Sequence, residues 1–181
     1  MASANILMEN ESQHILPKIL PKLVIFDLDY TLWPFWADTL YDLNYKSDGK
    51  GGIIGSRSSD KKKLYKDTRE LLEILSKAKI PIAAASRTDD PPMAKNLLKL
   101  FDIDKYFSYK EIYPGCKVDH FKQFHKYSQF PYKEMLFFDD EERNIQDVSL
   151  LGVTCVHVDR GITKREFLDG LNLFSRKENK K

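Results

Sequence analysis

The sequence predicts an α/β fold: a doubly wound, mostly parallel five-stranded sheet with helices on both faces. Three observations predict it. First, KLVIFD (22–27), IPIAAAS (80–86) and EMLFFDD (134–140) are continuous apolar runs of strand length, as expected of strands buried on both faces. Second, stretches with helical spacing and helix-start signals separate these runs, and strands alternating with helices assemble into a parallel sheet. Third, the runs end in Asp27, in Ser86 and Arg87, and in Asp139 and Asp140. Ligands of such sheets bind outside the carboxyl ends of the strands, so these polar groups are expected to converge on one crevice.

Taken in order, residues 1–20 read as a flexible polar extension closed by Pro17 and Pro21, and residues 21–175 as a single domain. The first strand occupies 22–27. Residues 41–63 are rich in Gly, Ser, Asp and Lys and read as a flexible loop or hairpin, not a second domain. Asp67 is placed to cap a helix, with Glu70 three residues on as in a capping box and Leu71, Leu72 and Leu75 as its apolar face. The strand at 80–86 follows, and the next helix starts at Pro91 and Pro92, which suit a first turn. KYFSYKEIY (105–113) reads as a more exposed strand and VDHFKQFHKY (118–127) as an amphipathic helix. After the strand at 134–140, ERNIQDVSLLG is a helix closed by Gly152. VTCVHV (153–158) is the last strand, and Thr163 with Glu166 forms a second capping box on the last helix. Residues 176–181 are a charged tail.

Composition narrows the function. Lys+Arg 29 against Asp+Glu 27 leaves a net charge of +2, so neither nucleic acid nor an anionic membrane is expected as partner. Cys116 and Cys155 lie far apart with no CxxC, which argues against a disulfide framework or zinc site and for a reducing, cytoplasmic setting. The first residues have neither the basic start nor the apolar run of a secretory signal, and no stretch approaches the roughly 20 apolar residues of a membrane span. No heptad or long apolar patch demands an oligomer, so a monomer is expected.

Asp27 and Asp29 carry the chemistry. Residues two apart on an extended segment point the same way, so both can face one site, and Asp139 or Asp140 can join them from a neighbouring strand. Clustered carboxylates repel one another and call for a cation; an all-oxygen set with few carboxylates suits Mg²⁺. The cation also lets a phosphate approach. A phosphate charge ~4 Å from an ionised aspartate would cost roughly 4 kcal/mol at an effective dielectric of about 20. Positioning and charge neutralisation are most of what phosphoryl transfer requires.

DLDYT at 27–31, the strand ending in Ser86, Lys117 after Pro114-Gly115, and FDD at 138–140 together resemble the four ordered motifs of the haloacid dehalogenase-like superfamily. The resemblance runs from about residue 22 to 158. FDLDYTLWPFW, AAASR, EIYPGCKV and FFDDEERNI resemble one branch, the magnesium-dependent phosphatase 1 family. It implies a HAD-like Rossmannoid fold with no large cap domain, and a Mg²⁺-dependent phosphatase acting through an aspartyl-phosphate. Asp27 would be the nucleophile. Asp29 would be the general acid, then the base, and would offer its main-chain carbonyl to the metal. The metal ligands would be Asp27, Asp29 and Asp140, with Asp139 supporting them unless the two exchange roles. Leu28, Asp29, Trp36, Ser86, Arg87 and Lys117 would bind substrate. Ser86 would meet a phosphate oxygen, Lys117 would neutralise the phosphate and orient Asp27, and Thr31 would brace the loop. The family is regarded as protein-tyrosine-phosphatase-like and as a candidate for removing phosphate from phosphorylated fructosamines on proteins. Residues 32–63 leave no room for a large lid, so the site should be open, and the segment 41–63 is placed to touch substrate.

Other readings stand beside these. Trp33, Phe35 and Trp36 can serve core or substrate, and Trp36 is the one assigned to substrate. Lys117 taken alone reads as a solvated lysine. His120 and His125 read as helix-surface residues, His157 as a strand residue, and Cys155 as a buried small apolar residue. A signalling receiver domain uses similar groups, but its acid pair comes first and its phosphorylated aspartate later. Here Asp27-x-Asp29 comes first, and a second aspartate two residues on is what discharging an aspartyl-phosphate to water requires. A non-catalytic binding protein on the same scaffold would be expected to lack one of the two.

Overall fold

The computed structural model describes residues 16–40, 44–55 and 60–178. In chain order the strands are β1 (Leu23–Phe26), β2 (Lys46–Ser47), β3 (Gly52–Ile54), β4 (Lys61–Lys63), β5 (Ile82–Ser86), β6 (Phe107–Ile112), β7 (Met135–Asp139) and β8 (Thr154–His157). The α-helices are α1 (Thr68–Lys77), α2 (Pro91–Leu100), α3 (Lys117–Ser128), α4 (Glu142–Ser149) and α5 (Lys164–Glu178). Five strands form the central sheet in the order β6-β5-β1-β7-β8, and every pairing in it is parallel.

The alternation of side chains along β1 and β7 splits the core into two layers. Val24, Phe26, Leu136 and Phe138 pack with Leu71 and Leu75 of α1, Leu97 of α2 and Phe167 of α5. Leu23, Ile25, Met135 and Phe137 face the other way, against Phe121 and Phe124 of α3 and Val148 of α4. The register pairs Leu23 with Met135 and Ile25 with Phe137. Two residues further on, Asp27 and Asp139 continue that second face, on the side where α3 and α4 lie. Gly170 lets α5 press onto β7, since a Cβ there would come within 2.7 Å of the Phe138 ring.

Asp67 does not cap its own helix. Its side chain makes no bond to the α1 amides; Oδ2 instead accepts the N–H of Lys164 at the start of α5. Tertiary proximity offered that carboxylate another helix's unpaired amides. The Thr163–Glu166 box forms reciprocally, with Thr163 N–H on Glu166 at 3.0 Å and Glu166 N–H on Thr163 at 3.2 Å. Gly152 takes φ +94° after α4, a left-handed conformation that suits glycine.

Two segments carry more structure than their composition suggested. Within 41–63, the described residues hold the antiparallel sheet β2-β3-β4, seated by the buried side chains of Tyr45 and Ile53. Of the first 20 residues, 1–15 lie outside the described set; Leu16, Ile19 and Leu20 pack against the core. Among the described residues no helix is long and apolar enough to cross a membrane.

Candidate active site

The loop after β1 is a tight turn around one carbonyl. Leu28 O accepts the N–H groups of Thr31, Leu32 and Trp33 at 3.3, 2.8 and 3.4 Å. The turn forces Tyr30 to φ +54°, a conformation that costs a non-glycine residue about 1 kcal/mol or more. It bends the chain so that Asp27 and Asp29 face the same crevice. The crevice has a volume of about 360 Å³ and is lined by Asp27, Asp29, Trp36, Ser86, Arg87 and Lys117, with Thr88, Asn144 and Arg143 among the rest.

Lys117 is the centre of the charge arrangement. As the first residue of α3, it is only 1% exposed and far from the solvated lysine its sequence context allowed. Its ammonium donates to Asp27 Oδ1 and the Ala85 carbonyl and lies 3.0 Å from Asp139 Oδ2. Burial works against its charge, but Asp27 and Asp139 outweigh that and hold its pKa above the ordinary lysine value. Burial pushes the Asp27 carboxyl well up; Lys117 opposes the rise, and Asp139 and Asp29 add to it. The site therefore needs positive charge to keep Asp27 ionised.

Asp29 sits in a different environment. Its Oδ1 accepts the Trp33 indole N–H at 2.7 Å and the Ala37 N–H at 3.2 Å. Burial raises its pKa to about 6 despite those two bonds, so the group can give and take a proton near neutrality. Trp33 thus belongs to the core, fully buried, and Phe35 stacks on it. Trp36 is 55% exposed and meets Tyr30 edge-on at the crevice mouth.

Ser86 ends β5, buried, and its Oγ accepts the Thr88 N–H at 3.3 Å. Arg87 is tied to three places: Nε donates to Gly115 O at 2.6 Å, and Nη1 to Asn144 Oδ1 at 3.1 Å and Glu141 Oε2 at 3.3 Å. Leu28 presents no side chain to the crevice; it is buried. Thr31 braces the loop through its main chain, whose carbonyl accepts the Ile162 N–H at 2.9 Å; its buried hydroxyl has no partner among the described residues.

Both oxygens of Asp139 are engaged, by the Glu141 N–H at 2.7 Å, the Asn144 amide at 3.0 and 3.1 Å, and Lys117. Asp140 lies beside the crevice, not among its lining residues. It is half-buried, with its pKa pushed up to about 6 by burial and by Asp139, against the opposing charge of Lys117. Its main chain is fixed by His157, whose Nε2–H donates to the Asp140 carbonyl at 2.8 Å. Among the described residues no three His, Cys, Asp or Glu side chains form a metal cluster. Mg²⁺ needs no such cluster: one or two carboxylates with a main-chain carbonyl leave positions for water and phosphate, and the donors here are all oxygen.

Asn144 escaped the sequence reading. Its spacing of four from Val148, the other buried residue of α4, places it on the inner face of that helix. His120 corrects an expectation. It is fully buried rather than on the helix surface, because Tyr113 folds over it with ring centroids 4.2 Å apart. Its Nε2–H donates to Tyr113 O at 3.1 Å, and burial, with Lys117 nearby, drives its pKa down to about 4. Cys155 is half-buried, and burial raises its thiol to about 12.

A parallel α/β sheet with this Asp-x-Asp turn at its carboxyl edge defines a haloacid dehalogenase-like domain. The fold matches solved structures of that class. One is a phosphatase domain of Bacteroides fragilis complexed with Mg, at TM-score 0.59 and 20% identity over 86% of this chain and 39% of that one. Another is a HAD-superfamily hydrolase of Ehrlichia chaffeensis, at TM-score 0.59 and 18% identity over 88% and 98%. The family described as Acid Phosphatase matches residues 19–177. Human Magnesium-dependent phosphatase 1 is 46% identical over 157 residues, 87% of this chain and 89% of the relative. A HAD-like hydrolase superfamily protein of Schizosaccharomyces pombe is 40% identical over 144 residues, 74% of this chain and 83% of the relative. The chain belongs to the acid phosphatase family of the HAD-like superfamily, in its magnesium-dependent phosphatase branch.

Proposed function

We propose that this chain is a Mg²⁺-dependent phosphatase that removes phosphate from protein side chains, phosphotyrosine first among them, through a phosphoryl group carried on Asp27. The observation that carries this reading is the buried Lys117 ammonium held between Asp27 and Asp139, with a carboxyl of pKa about 6 two residues from Asp27. An ammonium so placed keeps Asp27 ionised and aims one of its oxygens.

Asp27 attacks phosphorus and forms the aspartyl-phosphate, while the leaving oxygen takes the proton of Asp29. Asp29, now a carboxylate, accepts a proton from the water that attacks the same phosphorus; inorganic phosphate departs and Asp27 is restored. Ser86 binds a phosphate oxygen, and Arg87 with Asn144 fixes the loops around it. The Asp27 and Asp140 carboxylates and the Asp29 carbonyl would hold Mg²⁺, which would supply positive charge to offset that of the nucleophile and the phosphate. Asp140 suits that task better than Asp139, whose oxygens already serve Glu141, Asn144 and Lys117.

Trp36 at the crevice mouth favours an aromatic leaving group. The polar rim of Asp38, Asp89 and Arg143 supports a second substrate, a phosphorylated sugar or fructosamine on a protein, through bonds to its hydroxyls. Comparing kcat/KM for a phosphotyrosine peptide, a sugar 6-phosphate and a fructosamine phosphate separates them. For the mechanism, Asp27→Asn is expected to lower kcat by about 10⁴-fold or more. Protein trapped during turnover should carry phosphoryl label on Asp27; label on any other residue would overturn the mechanism.

A further inference from the structure

The small sheet β2-β3-β4 has two chemically different faces. Cross-strand pairing puts Lys46, Ile54 and Lys61 in one row and Ser47, Ile53 and Lys62 in the next. Paired residues share a face, and residues two apart along a strand do too. Ile53 is buried, and Lys62 lies over the Phe35 ring with its ammonium 3.1 Å from Asp60, so that row faces the body of the protein. Lys46, Lys61 and Lys63 therefore point outward, and all three are exposed. Among the described residues none of the three forms a salt bridge. Asp48 lies nearby, its Oδ1 accepting the N–H groups of Lys50 and Gly52 at 2.7 and 2.8 Å and its charge offsetting part of that of Lys61 and Lys63.

Both feet of this insertion stand on the catalytic loop. At one end Ala37 N–H bonds Asp29. At the other, Tyr65 N–H bonds Leu32 O at 3.0 Å. We infer that the outward lysine face of β2-β3-β4 is a docking surface for an acidic segment of the phosphoprotein substrate, beside the residue that enters the crevice. The inference rests on the protein-substrate reading above. Charge complementarity selects this occupant. Among the described residues the lysine face has no aromatic platform for the bases of a nucleic acid. A lipid surface would need exposed apolar residues, whereas among the described residues the one large apolar residue on this face, Ile54, is half-buried.

The test uses two phosphotyrosine peptides of equal length, one with four glutamates set apart from the phosphorylated residue and one with glutamines there. The protein is expected to favour the acidic peptide by about five- to tenfold in kcat/KM, mostly through KM, and to lose the preference in high salt. The variant Lys46→Glu/Lys61→Glu/Lys63→Glu should reverse the preference while hydrolysing p-nitrophenyl phosphate as before. The Lys→Gln triple variant, milder on folding, should abolish it. Equal kcat/KM on both peptides, or a preference that survives the substitutions, overturns the inference. So does binding to anionic vesicles or duplex DNA that the substitutions abolish without touching the peptides. Fluorescence titration with the unphosphorylated glutamate peptide keeps the two readings apart. Salt-sensitive, lysine-dependent binding without turnover of its phosphorylated form would fault the substrate reading and leave the docking face standing.

Discussion

The inner wall and the outer rim of the crevice follow opposite rules. On the inner wall Lys117 is 1% exposed, and the charges there are matched: Asp27 and Asp139 share its ammonium, and Asn144 holds Asp139. On the rim Trp36 is 55% exposed, and Arg143 and Glu141 form an ion pair with both partners near solvent. Burial makes each charge on the wall strong and its loss expensive; exposure makes each group on the rim weak and replaceable. The wall suits chemistry that must be the same at every turnover, and the rim suits recognition that can differ between substrates.

Substitutions can break that contrast in order of expected size. Lys117→Met leaves two buried carboxylates face to face and should cost about 3–5 kcal/mol in stability, read from a urea midpoint, along with nearly all turnover. A loss below about 1 kcal/mol would mean that the wall is no more demanding than the rim. Asp29→Asn should slow alkyl phosphates by about 10²- to 10⁴-fold. Aryl phosphates should slow less, since a phenol leaving group with a pKa of about 10 needs less help from a proton. Equal losses on both would remove the acid role from Asp29.

His120 sharpens the contrast through pH. Its pKa is about 4 in the folded protein, against an ordinary 6.5. Between those values the unfolded chain binds a proton that the folded chain refuses, so stability falls as pH drops through that window. The slope reaches about 1.4 kcal/mol per pH unit at most. His120→Gln should flatten the decline in the urea midpoint between pH 7 and pH 5. The smallest effect belongs to the rim: Trp36→Ala should raise KM for an aryl phosphate a few-fold and leave kcat and the melting temperature nearly unchanged. A large fall in stability would place Trp36 in the core with Trp33.

Much of this was legible in the chain itself. Continuous apolar runs marked the strands because a strand covered on both faces has no polar side to show, and the helices announced themselves at Pro91, Gly152 and Thr163. The Asp27-x-Asp29 pair stood out because its spacing is local, Ser86 because it ends an apolar run, and Lys117 through the order of the motifs it resembles. Asn144 did not, since an asparagine on an acidic helix looks solvated until Val148 shows which face is inward. Nor did His120, which is covered by Tyr113, a residue outside its own helix. The cap made by Asp67 was misplaced for the same reason: its partner Lys164 is 97 residues away.

Local order therefore determined the alternation of strands and helices, the polar groups at the strand ends and the identity of the acids. Tertiary structure alone decided which of those charges would meet. Lys117 and Asp27 are 90 residues apart, and only the sheet register sets Asp27 and Asp139 on the face where α3 begins. Hydrophobic periodicity is a property of neighbours along the chain, whereas the energy of a buried ion pair depends on groups that folding alone brings together.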